Sequence, residues 1–222
     1  MISRQIERKV FIGIIFSLIL VICCGGCSSS TESSPDVSIP KYKTFVTAAT
    51  FTGDIKAAGG QATGIASADY LCMNDTNTPT DGSTYKAMLV DGTVRVACGS
   101  GNYNCSDGTI GQKDWVFKPN TTYTQSDGTT PIFTTDANGV FDFGEALTNT
   151  LTNSFDISAS TYYTGLLGDW TLNVEGMCLY WAKGDFGPGG IGSYGLGDQT
   201  NYSSIAGSDS CEYFRRLICV EQ

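Results

Sequence analysis

Nine cysteines fall into two groups, and that division limits the folds open to this 222-residue chain. Cys23, Cys24 and Cys27 crowd together behind an apolar N-terminal run. Cys72, Cys98, Cys105, Cys178, Cys211 and Cys219 are spread through an acidic, glycine-rich body. Six cysteines in a body of this size imply three disulfides formed in an oxidising compartment. The first cluster implies export and attachment of a lipid.

Arg4, Arg8 and Lys9 precede the apolar run from Val10 to Ile22. That run suits the core of a signal peptide and is short for a membrane span. A lipoprotein signal needs a cysteine just after the cleavage point, with small residues before it. Cys27 follows Gly25 and Gly26; Cys24 follows Ile22 and Cys23. Cleavage before Cys27 also leaves an even six behind the lipidated residue. Cys27 is therefore the expected site, with Cys24 as the alternative and an ordinary secretory signal as the plainer reading. Residues 1–26 read as signal peptide and 27–40 as a Ser/Pro-rich flexible tether, leaving 41–222 as one domain of ordinary size.

Removing residues 1–26 takes away three bases and one acid, leaving 10 basic and 21 acidic residues and a net charge of −11. Such a surface repels phosphate backbones and sulfated polysaccharides, so nucleic acid and heparin are not expected partners. Arg215 and Arg216 are the only adjacent basic pair in that part. No histidine is present. Ser–His–Asp and Cys–His catalysis and most zinc chemistry drop out with it. No C-x-x-C pair or phosphate-binding glycine loop occurs either. No cofactor, no metal and no enzymatic activity are expected.

Along the body, Lys41–Thr47 alternates as a first strand should. Gly53–Gly64 reads as a small-residue loop, and Ser67–Met73 as a short helix capped by Ser67. Thr84–Val90 and Thr93–Ala97 flank Asp91-Gly92, the pattern of a hairpin. Trp115–Phe117, Ile132–Thr134 and Val140–Phe143 are further strand candidates, with a turn at Asn138-Gly139. Leu147–Tyr163 reads as irregular. Gly184–Ser210 is a long loop nearly without strand pattern, between Cys178 and Cys211. Phe214–Val220 closes the chain as a strand.

Ser210-Cys211, seven residues on Cys219, then Val220-Glu221 is similar to the ending of C-type-lectin-like domains. Cys178-Leu179-Tyr180-Trp181 resembles the Cys-x-x-Trp of collagen endostatin domains, a distant branch of that fold. Ala68-Asp69-Tyr70-x-Cys72, followed by Tyr85–Leu89, resembles their early helix and strand. Phe45-Val46-Thr47, Tyr85–Gly92, Asp114–Tyr123 and Cys219–Gln222 together resemble spirochaetal, Leptospira-type lipoproteins with a lectin-like domain of unknown function. The resemblance implies an α+β, C-type-lectin-like fold: mostly short antiparallel strands, one or two short helices and a long disulfide-stapled loop. It implies the pairs Cys72–Cys219 and Cys178–Cys211, which leaves Cys98–Cys105 as a local clip.

Sugar-binding members of that fold gather six to eight oxygens around calcium. Here Gly207 and Ser208 stand where two ligands are needed, and Lys118-Pro119-Asn120 lies too far upstream, so a calcium-dependent sugar site is a weak alternative. Trp181, Asp185, Tyr194, Asp198, Tyr202 and Asp209 are the ligand-binding candidates of the long loop, although a core position suits Trp170 and Trp181 better. Asp69 and Glu175 are the acids to check for catalysis; a helix first turn and a polar turn explain them without it. The expectation is a non-enzymatic lipoprotein, surface-exposed in the outer membrane, whose domain binds a protein of host extracellular matrix or serum. The rivals are a periplasm-facing structural lipoprotein and a hydrolase using loop carboxylates.

Overall fold

The computed structural model describes residues 39–97 and 111–222. The expected signal segment, most of the tether, Cys24, Cys27 and the Cys98–Cys105 pair lie outside them. Within the body the fold is mixed α+β, mostly strands in two sheets with few short helices.

The first sheet is built on the two ends of the body. Strand β1 (Lys41–Val46) has its last three residues buried. It pairs antiparallel with the last strand, β8 (Ile218–Glu221), setting Phe45 opposite Cys219. On the far side of β8 lies β2 (Tyr85–Ala87), with Ala87 also opposite Cys219. The other edge of β1 takes β3 (Thr122–Thr124) in parallel, and β4 (Pro131–Thr134) follows it antiparallel, giving the order β2-β8-β1-β3-β4. The second sheet, β5 (Thr161–Tyr163), β6 (Ile191–Leu196) and β7 (Ser208–Ser210), is antiparallel in that order.

Several elements depart from the sequence-based expectation. The segment read as a loop before Gly64 holds a helix, α1 (Ile55–Gly59), because the Asp54 carboxylate accepts from the Ala57 amide and caps it. Helix α2 (Gly64–Asn74) starts earlier than expected and is capped by Thr63. Ser67 is buried inside it, accepting from the Gln61 amide and donating to the Lys56 carbonyl, so it joins the two helices. Asp91-Gly92 does turn the chain, but no ladder forms between its flanks. The Asp91 carboxylate accepts from the amides of Thr93, Val94 and Arg95, while β2 pairs with β8. Trp115–Phe117 and Val140–Phe143 form no strands; Phe117 and Phe143 go into the core instead. The last strand starts at Ile218, and Gly184–Ser210 contains β6, β7 and a 3₁₀ turn at Tyr202–Ser204.

Two apolar clusters fill the interior. One is an aromatic nest in which Trp170 meets Trp115, Phe117, Phe133 and Phe143. The other surrounds both disulfides and Trp181. Cys72–Cys219 ties α2 to β8 across a separation of 147 residues, and Cys178–Cys211 closes one of 33. These are the pairs that the resemblance implies. Loop-closure entropy makes them worth about 5 and about 4 kcal/mol, respectively, if unstrained.

Arg95 has no exposed surface. Its guanidinium grips both oxygens of Asp69 on α2 at 3.0 and 2.8 Å, the Asp114 carboxylate at 2.6 Å and the Ala87 carbonyl at 2.7 Å. Lys86 adds a second cation to Asp114. Burial disfavours the charge on Arg95, but its two carboxylates outweigh this and hold its pKa above the usual value. Burial likewise works to raise Asp114; Lys86 and Arg95 outweigh it and hold the carboxyl below its ordinary range.

Arg95→Met, which leaves Asp69 without its cation, Asp114 with Lys86 alone and the Ala87 carbonyl without its guanidinium donor, should destabilise the domain by about 3 kcal/mol in urea unfolding. The depressed Asp114 pKa fixes the sign with pH. Its contribution is complete above the unfolded value of about 4 and disappears as pH falls through the lower folded value. The acid limb of the stability curve should therefore flatten in Asp114→Asn.

Candidate functional site

The segment closed by Cys178–Cys211 begins with an unusual backbone. Cys178, Leu179, Tyr180 and Trp181 all have left-handed φ, at 45, 52, 59 and 62°. Each such residue costs roughly 1–2 kcal/mol when it carries a side chain. Surrounding structure must therefore impose the turn. Cys178 is held by its disulfide, and the Trp181 amide donates to the Met177 carbonyl at 2.7 Å. The buried Trp181 indole donates to the Val90 carbonyl at 2.8 Å. Two glycines let neighbouring backbone come close. A Cβ on Gly53 would stand 2.3 Å from the Cys178 sulfur, and one on Gly64 would stand 2.5 Å from the Trp181 Cβ.

The turn decides what faces out. Cys178 and Trp181 point into the core, while Leu179 and Tyr180 are 55 and 50% exposed. Beside them a cleft of about 380 Å³ is lined by Val174, Glu175, Met177, Gly189 and Ile191. Val174 and Ile191 are themselves exposed, so the apolar surface is continuous around the turn. On the other side of Leu179, a recess of about 530 Å³ is lined by Thr52, Asp54, Lys183 and Asp185.

The six candidates from the long loop do not meet at one place. Trp181 is a correction: it is fully buried and hydrogen-bonded, hence part of the core. Asp185 lines the recess and pairs with Lys183. Asp198 is exposed and accepts from the Gln199 side-chain amide. Tyr202 packs against Gly168 and is partly exposed. Tyr194 and Asp209 belong to a third group, built on Arg215. That guanidinium lies 3.8 Å from the centre of the Tyr194 ring and pairs with Asp209 at 2.9 Å. Tyr163 supports it from below; burial pushes its phenol up to about 12, and its hydroxyl donates to the Tyr213 carbonyl at 2.7 Å.

Arg215 and Arg216 form no basic patch. Arg215 is buried, and Arg216 donates to the carbonyls of Thr47 and Ala48. Asp69 is mid-helix and committed to Arg95, which replaces the helix-dipole explanation. Glu175 sits in a turn fixed by Asn173 and borders the apolar cleft. Among the described residues no three His, Cys, Asp or Glu side chains are grouped so as to hold a metal ion. Leu179, Tyr180, Val174 and Ile191 were missed by sequence reasoning. The one signal was an apolar pair between two residues destined for the core.

The architecture defines a class: an α+β domain of two sheets, with two disulfides among the described residues and an apolar surface at the staple. A family model described as "Protein of unknown function (DUF1554)" matches residues 56–209, and the chain belongs to that family. No curated protein matches the chain.

Gly64→Ala drives a methyl into the left-handed turn and should cost roughly 2 kcal/mol. Hydrogen exchange should quicken at Tyr180–Lys183 before it does in β1 and β8.

Proposed function

We propose that this protein is an exported, lipid-anchored envelope protein whose C-type-lectin-like domain binds a macromolecular ligand without catalysis. The anchor is Cys27, with Cys24 as the alternative, and the ligand is a host extracellular-matrix or serum protein met at the outer surface. The observation that carries the reading is the exposed Leu179–Tyr180 pair beside Val174 and Ile191. A soluble domain gains nothing from displaying large apolar side chains on a costly backbone. A protein interface uses such anchors, tyrosine above all.

Within the described body, strand β1 leads toward the staple. The body begins at Pro40 and Lys41, where Lys41 lies opposite Thr122. The six residues of β1 then span about 20 Å. Only beyond them does the backbone reach the staple, where the Gly53 amide donates to the Cys211 carbonyl at 2.8 Å.

Leu179→Asp/Tyr180→Asp should keep the thermal transition near that of the parent, since neither side chain is buried. It should weaken capture of the protein partner at least tenfold on matrix and serum arrays. Protease treatment of whole cells should remove the domain. Protection of the domain in intact cells, together with no partner on the arrays, would support the periplasm-facing rival instead.

A further inference from the structure

A second cleft, of about 800 Å³, opens between residues 141–147 and 167–170. Its size is that of a small-ligand site. Leu147 and Leu167 supply apolar wall over the buried Trp170, and Asp142, Glu145 and Asp169 supply charge; among the described residues no lysine or arginine lines it. The floor is rigid. Trp170 stacks on Phe143 with ring centres 6.0 Å apart, and its indole donates to the Phe141 carbonyl at 2.6 Å. One wall is fixed by Asp169, whose Oδ1 accepts from the Thr171 amide and hydroxyl at 3.0 and 2.5 Å. Leu147 and Tyr202 both lie close to Gly168, one of the lining residues.

Charge and shape together narrow the occupant. The carboxylates do not gather into a metal-holding group among the described residues. They are distributed around an apolar-walled cavity, which suits a cation with an apolar body rather than a compact ion. We propose that this cleft binds an organic cation on an aliphatic stem, with the stem against Leu147 and Leu167 and the ammonium or guanidinium near Glu145 and Asp169. A free polyamine and a lysine side chain of another protein both offer that chemistry. The site is separate from the staple surface and does not depend on the ligand assigned there.

The full-length protein in detergent micelles is titrated with methylammonium, butylammonium, spermidine and a tri-lysine peptide, following the indole N–H signal of Trp170 by NMR. Butylammonium should bind more tightly than methylammonium, because only it reaches the apolar wall. Glu145→Gln should weaken every cation roughly threefold, and added salt should do the same. Leu167→Asn, at an exposed residue, should abolish the difference between the two alkylammonium ions while leaving the unfolding temperature unchanged. Tighter binding of spermidine than of the peptide would identify a free amine, and the reverse a protein side chain. The proposal is overturned if no cation shifts the Trp170 signal up to about 10 mM. It is also overturned if stem length makes no difference, or if magnesium chloride competes no less well than spermidine.

Discussion

A guanidinium sealed from water must have its donors met, and Arg95 meets this demand by drawing three separate segments together. Its partners are Asp69 in α2, Ala87 at the end of β2 and Asp114 in the stretch that precedes β3. The same Asp69 carboxylate accepts the Ala87 amide at 2.9 Å. The outer edge of β2 is therefore closed by α2 side chains, which removes a row of unpaired groups that could recruit another strand. Three residues after Asp69, Cys72 bonds to Cys219 on β8. Helix α2 is thus fixed twice, by charge at its middle and covalently near its end. Its first residue, Gly64, is then positioned against Trp181. The shape of the exposed surface follows from a buried ion group with no direct contact to it.

This dependence explains how four left-handed residues persist in a row. Isolated, the segment Cys178–Trp181 would relax to ordinary φ and turn Leu179 and Tyr180 elsewhere. In the folded chain, Trp181 is bound to Val90, Cys178 to Cys211 and the backbone to Met177. Val90 in turn follows β2, whose place is fixed by Arg95 and β8. Strain at the surface is offset by burial and covalent closure behind it, so on the proposed reading the turn is already formed before any partner binds. A rigid anchor loses little conformational entropy on binding.

The parts of this structure legible in the chain were those set by local chemistry. Lys41–Thr47 alternates and Lys41–Val46 of it forms a strand, and Asn138-Gly139 turns; the pairing of Cys72 with Cys219 and Cys178 with Cys211 came instead from the resemblance. Other elements were hidden because distant groups decide them. Asp91-Gly92 has the local form of a hairpin turn, yet Asp91 spends its carboxylate on three amides and β8 claims β2. Thr122–Thr124 is polar and short, and becomes a strand because β1 offers an edge. Ile191–Leu196 contains two glycines, and its strand state comes from pairing with β5 and β7. The left-handed turn has no sequence mark at all, since no glycine stands in it. Aromatic residues in polar surroundings led to Tyr202, which is exposed but away from the staple surface, and to Tyr194, which a buried arginine occupies.

The distribution of charge links the fold to what the surface can meet. The described cations are largely spent inside the molecule or on neighbouring acids. Arg95 holds Asp69 and Asp114, Lys86 also holds Asp114, Lys43 holds Asp81, Lys183 holds Asp185 and Arg215 holds Asp209. Arg216 goes to backbone carbonyls, and Lys118 lies 3.8 Å from the centre of the Tyr42 ring. With 21 acids against 10 bases beyond residue 26, this internal use of cations leaves the excess as carboxylates facing water. The resulting field attracts basic partners and repels anionic ones over about one Debye length, roughly 8 Å in physiological salt. On the proposed readings, the apolar side chains at the staple and the acid-rimmed cleft by Trp170 are two separate features of this one acidic surface.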